Sequence, residues 1–167
     1  MKTENKLLAL LGIGLGYITY NKVNSNNKDN ALILLNKWMK NINTHDVNSV
    51  VSLYSKKAIL LPTDSTITYI ANGETEIKGY MQEFLTLPEL TGSIDETTVI
   101  FKSLGINRFM INGLYAFEYE TTPDGGEMEL KNQDARFTFL YERDLLNNNN
   151  WLIIAQNSNK GLLSTIV

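Results

Sequence analysis

With 167 residues, 43% of them hydrophobic and 20% charged, the chain suits one globular domain with a short appendage. It has no cysteine, which excludes disulfides, thiolate nucleophiles and Cys-based zinc sites. Its net charge of -3 comes without a basic stripe, so no nucleic-acid partner is expected.

Residues 7–20, LLALLGIGLGYITY, carry no charge and lie between Lys6 and Lys22. As a helix they would span roughly 21 Å at ~1.5 Å per residue. A bilayer core is about 30 Å thick, so the span is a few residues short. Three readings stand. Residues 1–22 are a membrane anchor with Tyr17 and Tyr20 at the interface and snorkelling lysines. They are a signal-peptide core with Val23 and Ser25 at a poor cleavage site. Or the apolar helix packs on the domain or a partner. Membrane-associated, exported and cytoplasmic locations correspond to these in turn. Gly12 and Gly16 would permit close helix contact in a membrane. Residues 23–30 are Asn-rich and read as a polar linker.

The domain is expected over residues 31–159, with 160–167 as an apolar tail. Ala31, Leu35, Trp38 and Ile42 form one stripe of a helix over 31–42. Asp46 is an N-cap for a second helix over 47–54, burying Val47, Val50, Val51 and Tyr54. A strand over 58–61 stops at Pro62, and a β-branched strand follows over 66–70. Asn72-Gly73 is a turn signal. Residues 74–85 are helical, with Ile77, Tyr80, Met81 and Phe84 on one side, and Pro88 closes the segment. Four β-rich runs then follow at about 94–104, 107–121, 128–142 and 151–158, joined by hairpin-type turns into an antiparallel meander. Helices segregated from a long antiparallel sheet define an α+β domain: a curved antiparallel sheet around about three helices, behind a short apolar N-terminal helix.

Alternation along the third long strand separates Arg136, Thr138 and Leu140 from Ala135, Phe137, Phe139 and Tyr141. The strand before it separates Tyr115, Phe117 and Tyr119 from Leu114, Ala116 and Glu118. If the helices cover the other face, the aromatic stripe is an exposed apolar patch, and a second copy of the sheet is its simplest cover. That argument predicts a homodimer or larger ring through the outer sheet face.

Trp38, Asn43-Thr44-His45-Asp46, Val50 to Tyr54, Ala58 to Thr63, Ile77, Tyr80 to Leu85, Gly113-Leu114-Tyr115, Ala135 to Phe139 and Trp151 to Ile154 together resemble the nuclear transport factor 2-like superfamily, also called SnoaL-like or cystatin-like. Within it they resemble the association domain of calcium/calmodulin-dependent protein kinase II and its stand-alone bacterial relatives. The resemblance covers residues 31–159. It implies a curved sheet around a helix-lined pocket, dimerisation through the sheet face, and a pocket arginine at Arg136 that holds a small organic acid. It does not imply chemistry, because the superfamily hosts isomerases, dehydratases, cyclases and binding domains. Gly-rich loop, HRD and DFG signatures are absent, so no kinase activity is expected. Where relatives end their last strand with a histidine-containing segment, this chain has Gln156-Asn157-Ser158-Asn159.

The candidate ligand-binding residues are Arg136, Asn157, Ser158, Tyr54, Trp38 and Tyr80. Arg136 either anchors a ligand carboxylate or pairs with Glu118 or Asp64. Asn157 and Ser158 either bond a ligand or form a polar strand end. Trp38, Tyr54 and Tyr80 line a pocket or form plain core. His45 is the lone histidine and reads as a surface turn residue, so no metal site is expected. Asp64 and Tyr54 are the weak catalytic candidates, imitating the carboxylate base and tyrosine donor of a ketosteroid isomerase. No cofactor is expected. The leading expectation is a self-associating module with a small-molecule pocket. The alternative is a small enzyme, an isomerase, dehydratase or cyclase acting on an apolar substrate.

Overall fold

The computed structural model describes residues 27–63, 70–122, 126–146 and 150–160. The expected membrane-directed segment, most of the expected strand over 66–70, Asp64 and the apolar tail lie outside these residues. The chain divides into two compact units, Met1–Ile33 and Leu34–Val167. The described part of the first is the start of helix α1 (Asn27–Asn43), with Asp29 in the first turn, where a negative charge suits the helix dipole. α1 thus begins inside the stretch expected to be a linker.

In the second unit, α1 buries Leu35, Trp38, Met39 and Ile42 along the expected stripe. A sharp turn at His45, whose φ is 54°, leads to helix α2 (Val47–Val51). Asp46 caps α2 by accepting from the Ser49 amide at 3.0 Å and the Ser49 hydroxyl at 2.6 Å. These bonds to its charged form hold the Asp46 carboxyl below the usual carboxylate range.

Tyr54 does not end that helix, as the apolar spacing predicts; it opens strand β1 (Tyr54–Leu61). The reason is long-range. The Leu53 carbonyl accepts from the Ile153 amide at 2.8 Å, which pulls the chain into the sheet. The two-residue strand β2 (Ala71–Asn72) and helix α3 (Glu74–Phe84) follow. The long strands are β3 (Thr91–Ser103), β4 (Arg108–Thr121), β5 (Glu129–Asp144) and β6 (Asn150–Lys160). They form a curved six-stranded sheet in the order β2-β1-β6-β5-β4-β3. β1 and β6 run parallel, and the other pairs are antiparallel. β3 is an edge strand. Its register shifts between Asp95 and Ile100, where Thr97 and Thr98 bond to Asp95, and such a bulge blunts an edge against further pairing.

The core lies on one face of this sheet. Ala135, Phe137, Phe139 and Tyr141 of β5 and Tyr115, Phe117 and Tyr119 of β4 are all buried there. Trp38 of α1 packs on Tyr115, Phe117 and Phe139, with ring centres 5.1 to 6.5 Å apart. Phe84 of α3 meets Phe117 edge to face at 5.2 Å. This corrects the face assignment. The aromatic stripe is covered by helices of its own chain, and the Arg136–Thr138–Leu140 set faces outward. Rings of this size bury the most apolar area per residue, so the helices settle on the face that carries them. A second copy is therefore not needed to cover the stripe.

Candidate functional site

Between α1, α3 and the inner face of the sheet lies a cavity of about 60 Å³, room for roughly two water molecules. Trp38, Tyr80, Phe84, Tyr115, Phe117 and Tyr119 form its aromatic walls. Gln156 and Ser158 of β6 give it a polar floor; both are 3% exposed. They share a face because they are two residues apart on a strand.

A hydrogen-bonded chain runs beneath this floor. Trp38 Nε1–H donates to the Tyr54 hydroxyl at 2.9 Å, and Tyr54 donates in turn to Gln156 Oε1. The Tyr115 hydroxyl donates to Ser158 Oγ, and Gln156 Nε2 donates to the same oxygen at 3.4 Å. Burial pushes the Tyr54 hydroxyl well above the ordinary tyrosine pKa and raises that of Tyr115, so both stay neutral donors near pH 7. Among the described residues that line the cavity there is no carboxylate, imidazole, ammonium or guanidinium. Nor is there, among the described residues, a group of three or more His, Asp or Glu side chains that could hold a metal ion.

The expected site residues separate into two groups. Trp38, Tyr80 and Ser158 line the inner cavity, and Tyr54 supports its floor. Arg136 and Asn157 are on the opposite face of the sheet, both exposed. There they line a wider groove of about 410 Å³, with Ile100, Asn112, Thr138 and Asn159. Arg136 stands across from Leu114 and Asn159, and Asn157 across from Thr138. The expectation that Arg136 points into the pocket is thereby corrected. Phe137 and Ala135 are its sequence neighbours, and strand alternation sends it to the side they avoid. The pairing of Asn157 with Ser158 in one site fails for the same reason.

His45 Nε2–H donates to the Leu90 carbonyl at 2.8 Å, which ties the α1–α2 turn to the residue before β3. Asp64 lies outside the described residues. Gln156 and Tyr115 were not among the expected site residues. The period-two pattern of β6, with Gln156 in phase with Ser158, is the signal that would have found Gln156.

Similarities to known proteins agree with this architecture. No protein-family model matches the chain, and no curated protein matches it. Solved structures do. One, from Xanthomonas campestris and assigned as a calcium/calmodulin-dependent protein kinase II association domain, is 26% identical, with a TM-score of 0.65 over 80% of this chain and 86% of its own. A Novosphingobium aromaticivorans protein assigned as a scytalone dehydratase has a TM-score of 0.71 at 6% identity, over 85% of this chain and 89% of its own. A nuclear transport factor 2-like superfamily protein from Salmonella enterica has a TM-score of 0.67 at 14% identity, over 86% of this chain and 99% of its own. The second unit's curved sheet, with its helices on one face and its pocket between them, is thus the fold of the nuclear transport factor 2-like, or cystatin-like, proteins.

Proposed function

We propose that the chain is a self-associating module whose inner cavity holds a small molecule without converting it. The observation that carries this reading is the outer face of β3–β6, which among the described residues of Leu34–Val167 has no helix over it. The face alternates apolar and polar groups. Ile100 is 65% exposed, and Met110, Leu114, Leu140 and Ala155 are half-buried beside Asn112, Thr138 and Asn157. Four strands roughly 4.8 Å apart and about eleven residues long present roughly 700 Å². A standard interface buries about 800 Å² on each side. A twofold pairing uses the same patch on both copies, so the patch has to be self-complementary. The likeness to association domains supports the same reading.

The inner cavity supports binding over catalysis. Proton abstraction needs a group poised near neutral pH. The described lining offers neutral tyrosines, a glutamine and a serine instead. Residues 7–20 complete the proposal as a membrane-directed tether. No helix among the described residues is long and apolar enough to cross a membrane.

The test is the molar mass of the full-length chain in solution by light scattering. A dimer or ring at micromolar concentration is expected. The double change Ile100→Lys with Leu140→Lys should reduce it toward monomer while leaving near-ultraviolet circular dichroism unchanged. A wild-type monomer overturns self-association. An unchanged mass in the double variant moves the interface elsewhere.

A further inference from the structure

At one end of the sheet β3 finishes at Ser103, β4 starts at Arg108, β5 finishes at Asp144 and β6 starts at Asn150. The register pairs Ser103 with Phe109 and Arg108 with Glu142, so the two connections at this end are neighbours. The Arg143 amide joins them by donating to the Asn107 carbonyl at 2.9 Å. Turns are ordinarily built from glycine and small polar residues. Here Leu104 and Ile106 project from the first connection, and Leu145 and Leu146 project just past β5. All four are exposed, Ile106 by 70% and Leu146 by 100%. They add nothing to the core. Exposed apolar groups gathered in one place mark contact with a protein or a membrane.

Three observations select the membrane. The first is the layer behind the tips. Trp151 stands across from Arg143, whose guanidinium lies 4.7 Å from the centre of the indole ring. Indole rings and long basic side chains favour the boundary between headgroups and acyl chains. The second is charge. Arg108 and Glu142 pair at 2.6 Å, which leaves Lys102 and Arg143 against Asp144 at this end. The far end of β4 and β5 carries Glu118, Glu120, Glu127 and Glu129 against Lys131. A negatively charged lipid surface attracts the first end and repels the second. The third is the course of α1. Asn36 donates to Glu96 at 2.8 Å, and Asn43, later in the helix, is bonded to Gly92, nearer the start of β3. α1 therefore runs against β3, and the chain enters the second unit from the direction of the hairpin end. Leucine is also poorly represented among the residues that anchor protein partners, so protruding aliphatic tips fit acyl chains better.

We infer that this end of the sheet rests on an anionic lipid surface, with Leu104, Ile106, Leu145 and Leu146 among the headgroups and upper acyl chains and with Arg143 and Trp151 at the boundary. The contact goes beyond self-association, and it does not depend on residues 7–20 acting as a tether.

The test mixes the full-length chain with vesicles of phosphatidylserine and phosphatidylcholine, the latter carrying bromine high in its acyl chains. Bromine quenches indole fluorescence on contact. Trp38 is 2% exposed inside the core, so Trp151 is the reporter. Trp151 should be quenched, and Trp151→Phe should remove the effect. Ile106→Asp with Leu146→Asp should lower the docked-to-undocked ratio read from quenching about tenfold, from the lost burial of two aliphatic side chains. Lys102→Glu is a second variant, and it should weaken quenching on these vesicles more than on phosphatidylcholine alone. Near-ultraviolet circular dichroism checks the fold of each variant. Vesicles that carry the chain down without quenching Trp151 overturn this inference and leave the tether standing. Quenching that the paired Asp changes do not reduce overturns the role of the tips. Equal quenching with and without phosphatidylserine overturns the anionic preference. No association at all overturns both this inference and the tether. If Trp151 stays bright and the paired Asp changes lower the mass in light scattering, the tips bind a second copy instead, and the lipid contact is overturned.

Discussion

Asn43 grips both ends of the Gly92 peptide: its Nδ2 donates to the Gly92 carbonyl at 2.9 Å, and its Oδ1 accepts from the Gly92 N–H at 2.7 Å. The side-chain amide acts as one residue of an extra strand on the free edge of β3. It fixes the last turn of α1 against the sheet, one turn from Met39 and Trp38. Close approach requires glycine at this point. A methyl group on Gly92 would meet Met39 Sδ at 2.5 Å and Phe117 Cε1 at 2.6 Å.

Loss of the amide should therefore be costly although Asn43 is exposed. Asn43→Ala should lower unfolding free energy by about 1–2 kcal/mol, from two neutral hydrogen bonds. Asn43→Asp should not rescue it, because a carboxylate has no donor for the Gly92 carbonyl. Gly92→Ala should cost about 1–3 kcal/mol through overpacking. Urea unfolding checks all three. An Asn43→Ala protein as stable as wild type would show that the paired amide contributes nothing net.

Trp38 has two roles that substitution can separate. Trp38→Ala removes a fully buried ring system from among Tyr115, Phe117 and Phe139 and should cost about 3–5 kcal/mol. Trp38→Phe keeps a ring but loses the indole donor, and it should cost less than the alanine change. Without that donor the Tyr54 hydroxyl no longer has to point its proton at Gln156. Urea unfolding of both variants separates the packing of the ring from the hydrogen bond. A Trp38→Phe protein as stable as wild type would show that the hydrogen bond from the indole to Tyr54 contributes nothing net.

Much of this arrangement can be read from the sequence, and the failures share a cause. The stripe of Leu35, Trp38 and Ile42, the cap at Asp46 and the four long strands follow from local periodicity and turn chemistry. Alternation also sorts the residues of β4 and β5 into two correct sets. What alternation lacks is a sign: it does not say which set meets the helices. Ring size supplies the sign, since Phe137, Phe139 and Tyr141 have far more apolar area to bury than Thr138 and Leu140. Arg136 by resemblance points inward, and its own neighbours point it outward. Tyr54 fits a helix by spacing, and only the distant Ile153 amide draws it into a strand. The floor of the cavity needs β1, β4, β6 and α1 at once, so no local window contains it.

Buried tyrosines set a limit at alkaline pH. The Tyr54 and Tyr115 hydroxyls have folded-state pKa values raised by burial above the usual value near 10. In the unfolded chain they ionise near pH 10, so above that pH the unfolded state binds fewer protons than the folded one. Stability is therefore fully present below about pH 10 and falls as pH rises beyond it toward the folded-state values. Tyrosinate absorbance should appear in two stages, exposed rings first and the buried set only with loss of near-ultraviolet circular dichroism. Tyr54→Phe should reduce the slope of stability against pH in this range. A single smooth titration in a still-folded protein would contradict the buried network.

Arg136 provides the sharpest separation between the two faces. It is exposed on the outer side, between Leu114 and Asn159, in the middle of the patch proposed to meet a second copy. Arg136→Glu changes no inner contact, so the unfolding free energy of the single protomer should stay within about 0.5 kcal/mol of wild type, as for other surface changes. The near-ultraviolet circular dichroism of the aromatic core should be unchanged, because that core is on the other side of the sheet. Self-association should weaken, since the reversed charge enters the shared patch twice in a twofold pair. The same measurements test the opposite orientation of Arg136. If Arg136→Glu destabilised the protomer by several kcal/mol and altered the aromatic circular dichroism while leaving the mass unaltered, the guanidinium would belong to the inner face after all, and the assignment of the sheet faces would be wrong.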